Sequence, residues 1–586
     1  MTLLYILALL PFANLASALS NHGTLIPRAT TTPLVDFQVA QPPPLPASAQ
    51  QCTVQLLERT FGNSFGDPEV IQYTPPTDCG APGTWAGVSL NWTATSNGAT
   101  STLRGLLNPY SVWRTSTPEP SPDGIIWTYL KDVSRYVPLF AQPGTLILDL
   151  NNIVDASEGL TGEYDVVLSA TFFASDETHA PAKTADAIIP ISNLSPNMAN
   201  YVSVPPDFSL NQTFPINTVQ AYAELYASGN GNEEFWYFNV ADEFFNDLPA
   251  GDAFPRGPFR EVRLLVDGQV AGVAYPYAVF FTGAIVPPAW RPITSYGALD
   301  LPTYYVDLTP FVPLLADGQP HNLTLDVVSA ENNHTINDNW FVSGNVQVVT
   351  DPSGKQTTGN ITIYDVTPFG NASAQASTGS RGNLNITVQA SRSLRIEADI
   401  LSGSGNKTHV IWQQDLSYSN TQFYLNDFNT QNVVQSSTGT SSSTHNGVTV
   451  VQDIFDFPVE IDFSAVRTGS VCFFDHSYNR VLLPSPLITG ISITERQLAN
   501  GSLLTLPNGS NTGTGSNNNT FSYADLDGNT YTRKVNASNN VILLDEQGGT
   551  LAPVQNVKSA TLEPNLEGWA VRLPGGKQAI HIPGSN

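Results

Sequence analysis

Short runs in which apolar and polar residues alternate, or in which β-branched and aromatic residues cluster, recur along most of the chain. Thr84-Trp85-Ala86-Gly87-Val88-Ser89-Leu90-Asn91-Trp92, Tyr164-Asp165-Val166-Val167-Leu168-Ser169-Ala170-Thr171-Phe172 and Ala221-Tyr222-Ala223-Glu224-Leu225-Tyr226 are bounded by Pro, Gly and Asn turns. That is the pattern of strands with one covered face. Many such runs, the lack of a long 3.6-residue apolar period, and 44 Pro with 44 Gly predict an all-β chain of packed sheets, sandwiches or jelly rolls rather than an α/β fold. β-like runs at 394–401 and 457–463 continue into a more polar C-terminal region. Within it, 436–446 and 508–520 are so rich in Ser, Thr, Asn and Gly that composition predicts mobile loops.

Breaks in the pattern predict the organisation. The apolar run Leu3 to Leu10 ending in Ala16-Ser17-Ala18 reads as a signal peptide (1–18), followed by an exposed leader (19–32) with Arg28 as its basic residue. A stretch at 177–200 without aromatic rings, carrying Pro181, Pro190 and Pro196, divides a first sandwich (33–178) from a second (179–350). The turn Asp351-Pro352-Ser353-Gly354 then opens a β-rich C-terminal region (351–586). Several cores are expected for a chain of 586 residues. No later apolar run reaches the ~18 residues of a spanning helix, so the expectation is a secreted, extracellular protein without a membrane span.

Charge narrows the function. A net charge of −26 with 24 Lys plus Arg argues against nucleic acid and anionic membranes, both of which call for a basic surface. The eight His form no HExxH or HxH grouping and the three Cys no zinc spacing, so neither metal nor other cofactor is expected. In an oxidising compartment, pairing of Cys52 with Cys79 is the simplest reading, leaving Cys472 free and buried beside Phe473 and Phe474. Sequons at Asn91, Asn193, Asn211, Asn322, Asn333, Asn360, Asn371, Asn385, Asn406, Asn500, Asn508, Asn518 and Asn536 predict a glycoprotein modified on surface loops.

Three clusters could carry acid–base chemistry. In RTSTPEP (114–120), Glu119 lies between two prolines, on a stiff turn that would fix a carboxylate; an ordinary ion-paired loop is the bland alternative. In ASGNGNEEFWY (227–237), a strand enters a Gly/Asn loop and re-emerges with Glu233, Glu234 and three aromatic residues. Adjacent residues on a strand face opposite sides, so only one of the two acids points into a given cleft, where aromatic walls would raise its pKa as a general acid requires; a glycine-bearing bend with one solvated and one ion-paired Glu is the bland alternative. The third cluster joins Arg256 and Arg260 of 256–262 to Trp290 and Arg291 of 285–292, cations and a ring that could bind hydroxyls or close a sandwich edge.

Together with YTPPTDC (73–79), GIIWTYLKDVSRY (124–136), GPFREV (257–262), LLVDGQVAG (264–272) and FTGAIVPPAWRP (281–292), these ordered strings resemble the peptide-N4-(N-acetyl-β-glucosaminyl)asparagine amidase A family, the peptide N-glycosidases of plants and fungi. The resemblance is strong over about 33–350 and weak beyond. It implies two jelly-roll-like sandwiches side by side with the active site between them, plus a β-rich C-terminal domain. It also implies hydrolysis of the amide joining N-acetylglucosamine to asparagine, giving aspartate and a glycosylamine, on N-glycosylated peptides or denatured glycoproteins and without a metal. Carried over by motif, Glu234 is the first catalytic candidate and Glu233 the second, with Arg114, Glu119, Trp236, Arg260, Trp290 and Arg291 lining the substrate site. The family's aromatic-Asp-Arg tripeptide, expected after Leu90-Asn91-Trp92, is absent: the chain reads Gly98-Ala99-Thr100-Ser101-Thr102-Leu103-Arg104-Gly105, with no acid between Trp92 and Pro118. A catalytically impaired carbohydrate-binding or cell-wall glycoprotein, and a glycosidase working with two carboxylates, are the competing readings.

Overall fold

The computed structural model describes residues 33–98, 104–107, 112–118, 123–157, 159–192, 195–379, 383–484 and 487–553, with the backbone alone at 104–107. The expected signal peptide and leader, Glu119 and Asn193 lie outside these residues.

The first unit is built from β1 (Leu34–Asp36), β2 (Gln51–Phe61), β3 (Glu69–Tyr73), β4 (Gly87–Ser96), β5 (Arg104–Leu107), β6 (Trp113–Ser116), β7 (Ile125–Asp132), β8 (Gly144–Leu150) and β9 (Tyr164–Phe173). They form two sheets, β1-β7-β4-β9-β2 and β3-β8-β5-β6, antiparallel throughout except for β1 beside β7. Alternation in the sequence becomes alternation of faces. Val88, Leu90, Trp92 and Ala94 of β4 and Tyr164 to Phe172 at every second position of β9 point inward, where they meet Trp113, Leu146, Leu148 and Leu150 of the opposing sheet. Cys52 and Cys79 are joined by a disulfide, and Cys472 is free and buried.

The second unit comprises β10 (Ala187–Pro190), β11 (Val202–Val204), β12 (Phe208–Thr213), β13 (Thr218–Asn230), β14 (Glu261–Val266), β15 (Gln269–Ala274), β16 (Tyr304–Asp307), β17 (Pro320–Val328) and β18 (Asn339–Thr350). Its sheets are β10-β18-β13-β16, with β11 also on β18, and β12-β17-β14-β15. The central strand β13 is buried on both faces because the first unit covers its outer side. Tyr226 donates to the Val112 carbonyl (3.0 Å), Tyr136 to Glu224 (2.6 Å), and Lys131 pairs with Asp300 (2.5 Å).

The C-terminal region is one wide antiparallel sheet of β19 (Thr358–Val366), β20 (Asn371–Thr378), β21 (Leu384–Leu401), β22 (Lys407–Leu425), β23 (Thr430–His445), β24 (Val448–Val466), β25 (Gly469–Pro484), β26 (Ile491–Thr505), β27 (Asn511–Asp525), β28 (Thr530–Ser538) and β29 (Val541–Gly548). From β21 onward each strand pairs with its successor; β19 and β20 share β21. Trp412, Tyr418, Phe457 and Phe474 on the inner face join the core of the second unit. Inward amides grip its loops: Gln414 binds both the N–H and the C=O of Val273, Gln497 and Asn517 donate to carbonyls of Thr294, Ala289 and Ile293, and Asn420 and Gln422 donate to those of Tyr237 and Asn239.

Two expectations are corrected. The stretches 436–446 and 508–520 are not loops, for they lie mostly in β23 and β27, where both neighbouring strands satisfy their backbone and Ser437, Ser441, Ser443 and Asn517 turn inward. Nor are the sequons confined to loops. Asn333, Asn406 and Asn508 are outside strands, but the other described ones sit on strands, with Asn91, Asn322, Asn385 and Asn536 half-buried and the rest exposed. An exposed sheet face suits the motif, since residues two apart on a strand share a face. Among the described residues, no helix is long and apolar enough to cross a membrane.

Candidate functional site at the sandwich junction

The RTST part of RTSTPEP is clamped where the two sandwiches meet. The edge strand β6 is extended by a segment of the second unit: Ser116 N–H donates to the Ala298 carbonyl (2.7 Å), Leu301 N–H to that of Arg114 (3.0 Å), and the Trp113 indole to that of Leu299 (2.9 Å). Trp113 points into the first core. Arg114, one residue on, therefore faces the other way, donating to the Phe341 carbonyl (3.0 Å) with its guanidinium 5.4 Å from the Phe341 ring centre. The Thr282 hydroxyl donates to the Thr117 carbonyl.

At the other motif, β13 ends at Asn230 and the chain tightens into a 3-10 turn, Gly231–Glu233. The two acids therefore do not continue a strand; they lie on the glycine-bearing bend that is the alternative reading of this motif, with Glu233 as its ion-paired member. The glycines make the reversal possible. A Cβ on Gly229 would lie 2.0 Å from the Glu233 carbonyl oxygen, and Gly231 has φ +60° with Asp338 2.3 Å from where its Cβ would be. Gly229→Ala is expected to cost about 1–3 kcal/mol, checked by thermal melting, with loss of activity because the turn must shift.

The turn separates the acids by chemistry. Glu233 is fully buried and takes four donors: Arg260 Nε (2.5 Å) and Nη2 (2.7 Å), the Trp340 indole (2.8 Å) and Asn337 N–H (2.9 Å). Burial works to raise its pKa, but the Arg260 charge and the hydrogen bonds outweigh it and hold the carboxylate below the usual range. Both of its oxygens are thus occupied by donors within the protein. Glu234 is half-buried at the end of the turn, close enough to Tyr237 that its charge, after burial itself, helps push that phenol well above its ordinary value.

The other candidates divide between junction and core. Arg114 belongs to the junction. Arg260 spends its remaining donor atom on the carbonyls of Arg256, Gly257 and Phe259. Trp236 packs on Trp340 (6.0 Å) and Tyr418 (6.4 Å). Trp290 stacks on Phe280 (5.5 Å) and gives its N–H to Ala284. Trp236, Arg260 and Trp290 thus build the interior beneath the Glu234 turn instead of projecting from it. Arg291 is half-buried, and its charge bears on Asp36 of β1 in the first unit. Trp340 and Phe341, consecutive on β18, hold Glu233 and Arg114 on opposite faces of one sheet.

Sequence reasoning missed Asp149, Tyr201 and Phe341, which gather on the junction side of Arg114. Its signal was faint: Asp149 is a lone acid in the apolar strand Gly144–Leu150. No group of three His, Cys, Asp or Glu that could hold a metal occurs among the described residues.

The family model described as Peptide N-acetyl-beta-D-glucosaminyl asparaginase amidase A matches residues 41–367, and the PNGase_A C-terminal domain matches 385–459. The peptide-N4-(N-acetyl-beta-glucosaminyl)asparagine amidase A of Prunus dulcis is 33% identical over 434 residues, covering 70% of this chain and 73% of the relative. A solved structure of PNGF-II superposes only loosely, with a TM-score of 0.32 at 12% identity, over 51% of this chain and 65% of that one. The match to the first model spans both sandwiches, the Arg114 junction and the Glu234 turn, and the chain belongs to the peptide-N4-(N-acetyl-β-glucosaminyl)asparagine amidase A family.

Proposed function

We propose that the protein is a secreted glycoamidase that hydrolyses the bond between N-acetylglucosamine and the side-chain nitrogen of asparagine in N-glycosylated peptides or denatured glycoproteins. The observation that carries the reading is the division of labour in the Glu-Glu pair: Glu233 is locked by four donors, whereas Glu234 stands half-buried on the rigid turn this creates. A carboxylate so placed can accept a proton from water as its oxygen attacks the amide carbon. The carbon–nitrogen bond then breaks, leaving aspartate and a glycosylamine that later releases ammonia in water. The apolar N-terminal run, the disulfide and the many surface sequons support export and glycosylation of the chain itself.

The test is incubation of the purified protein with a labelled glycopeptide at about pH 5, the range in which catalytic carboxylates work near their pKa. Conversion of Asn to Asp is the expected product. Glu234→Gln is expected to slow it by about 10²–10⁴-fold without unfolding; full activity in that variant would remove the assignment. The absence of any acid between Trp92 and Pro118 favours a second reading, a carbohydrate-binding glycoprotein that has lost catalysis. In the same assay it predicts bound but intact glycan, and a glycosidase would leave one N-acetylglucosamine on Asn.

A further inference from the structure

Amide hydrolysis has two proton tasks, removing one from water and giving one to the departing nitrogen, and Glu234 accounts for the first. Resting on the amidase reading, we propose that Asp149 is a second catalytic carboxyl, the acid that protonates the leaving nitrogen.

Strand register places it. Leu106 of β5 is paired with Arg114 on one side and with Asp149 of β8 on the other, so Asp149 and Arg114 occupy one face of this sheet, two strand spacings or about 10 Å apart. The face is the one turned away from the first core. Leu148 and Leu150, flanking Asp149, point into that core, while Ile147 on the Asp149 side packs with Ala199 of the second unit. Across the junction stand Tyr201 and Phe341, their rings 5.1 Å apart and edge-on, with Arg114 anchored on Phe341. Phe341 pairs in register with Ser228, from which the chain runs directly into the Glu234 turn. The two carboxyls therefore belong to the same end of the β13–β18 pair.

Of the other buried aspartates, Asp307 accepts from Thr309 N–H and Asp453 from Arg480, while Asp36 leaves both oxygens open but lies in the field of the Arg291 charge. Asp149 is 4% exposed, and its Oδ1 is shielded from solvent without a hydrogen-bond partner among the described residues. A buried polar atom left open is costly, and a site for a reacting group is one of the few reasons to keep it. Burial pushes the carboxyl up to about 6, so it carries its proton in mildly acid solution. Of the described groups facing it, Tyr201 shares the environment: its phenol is raised by burial first and then by the Asp149 charge, and is drawn down by Arg114.

The step balances. The oxygen of water bonds to the amide carbon, its proton passing to Glu234. The carbon–nitrogen bond breaks, and the Asp149 proton goes to the nitrogen. Solvent exchange then returns a proton to Asp149 and takes one from Glu234.

The test compares full-length wild type, Asp149→Asn and Asp149→Glu on the glycopeptide from about pH 4 to pH 8, the interval that brackets catalytic carboxyls. In wild type, kcat should fall as pH rises through about 6, where Asp149 loses its proton. Asp149→Asn should lower kcat by about 10²-fold or more, leave KM within a factor of a few, and abolish that limb of the profile; Asp149→Glu should restore part of both. Asn is isosteric and uncharged, so melting should stay at or above the wild-type temperature. An active wild type with an Asp149→Asn profile unchanged in height and shape overturns the assignment and leaves the amidase reading intact. A wild type that leaves the glycan on Asn overturns the amidase reading, and Asp149 falls with it.

Discussion

Replacement of Arg260 by Ala is expected to destabilise the protein by about 3–5 kcal/mol, the cost of leaving one partner of a buried ion pair uncompensated. Glu233 is fully buried and Arg260 nearly so, and the pair is bidentate at 2.5 and 2.7 Å. Taking the guanidinium away strands a carboxylate beneath Trp340 and Trp236, with two donors where it had four. It also frees the carbonyls of Arg256, Gly257 and Phe259. Arg260→Lys keeps the charge but not the planar fork, and should fall between wild type and Ala. Glu233→Gln should be damaging for the reciprocal reason. A Glu233→Leu/Arg260→Met double variant, which removes both charges, should be markedly less destabilised than the sum of the single variants. Denaturant melts of the double variant and of Glu233→Leu and Arg260→Met alone distinguish an ion pair that supports the turn from one that merely fills space: near-additive losses would exclude the coupling.

The same turn shows what was legible in the sequence and what was not. Runs such as 84–92 and 164–172 announce their strands because each residue's hydrophobicity matches the face it occupies. The ordered strings at 114–120 and 227–237 mark the candidate region, and the described residues Arg114 and Ser228 bring them to the same junction. Which acid is available could not be read, because the parity rule for strands fails once Gly229 and Gly231 bend the chain into a 3-10 turn. Trp236, Arg260 and Trp290 look like site residues in the sequence because rings and cations that bind sugar are the same residues that fill an aromatic interior; only partners across the fold, Trp340, Glu233 and Phe280, separate the uses. β23 and β27 were hidden for another reason. Their strand character comes from long neighbours on either side, not from apolar residues of their own. Asp149 becomes visible only when the β6-β5-β8 register sets it beside Arg114.

Stability should be greatest in mildly acid solution and decline as pH rises toward 8, because several interior carboxyls hold their protons in the folded state. Burial, partly offset by the Arg291 charge, pushes Asp36 up to about 8, and burial, offset by Arg392 and Arg263, pushes Glu261 up to about 7. In the unfolded chain both titrate near ordinary carboxyl values of about 4. The folded state therefore binds protons more tightly. Its advantage is complete below about pH 4 and is lost as pH climbs through the folded values, amounting to several kcal/mol across the two groups at about 1.4 kcal/mol per pH unit of difference. Glu233, held low, works the other way and penalises the folded state below about pH 4. The opposing slopes place the maximum near pH 5, the range in which Asp149 also keeps its proton. Self-repulsion from a net charge of −26 steepens the alkaline side, so the whole slope cannot be assigned to any single group. Asp36→Asn isolates one. An isosteric amide cannot ionise, so the variant should melt near wild type at pH 5 and above it at pH 8, with a shallower dependence between. Parallel melting curves for variant and wild type across that interval would show that Asp36 titrates alike in the folded and unfolded chain, and would place the pH dependence on surface charge instead.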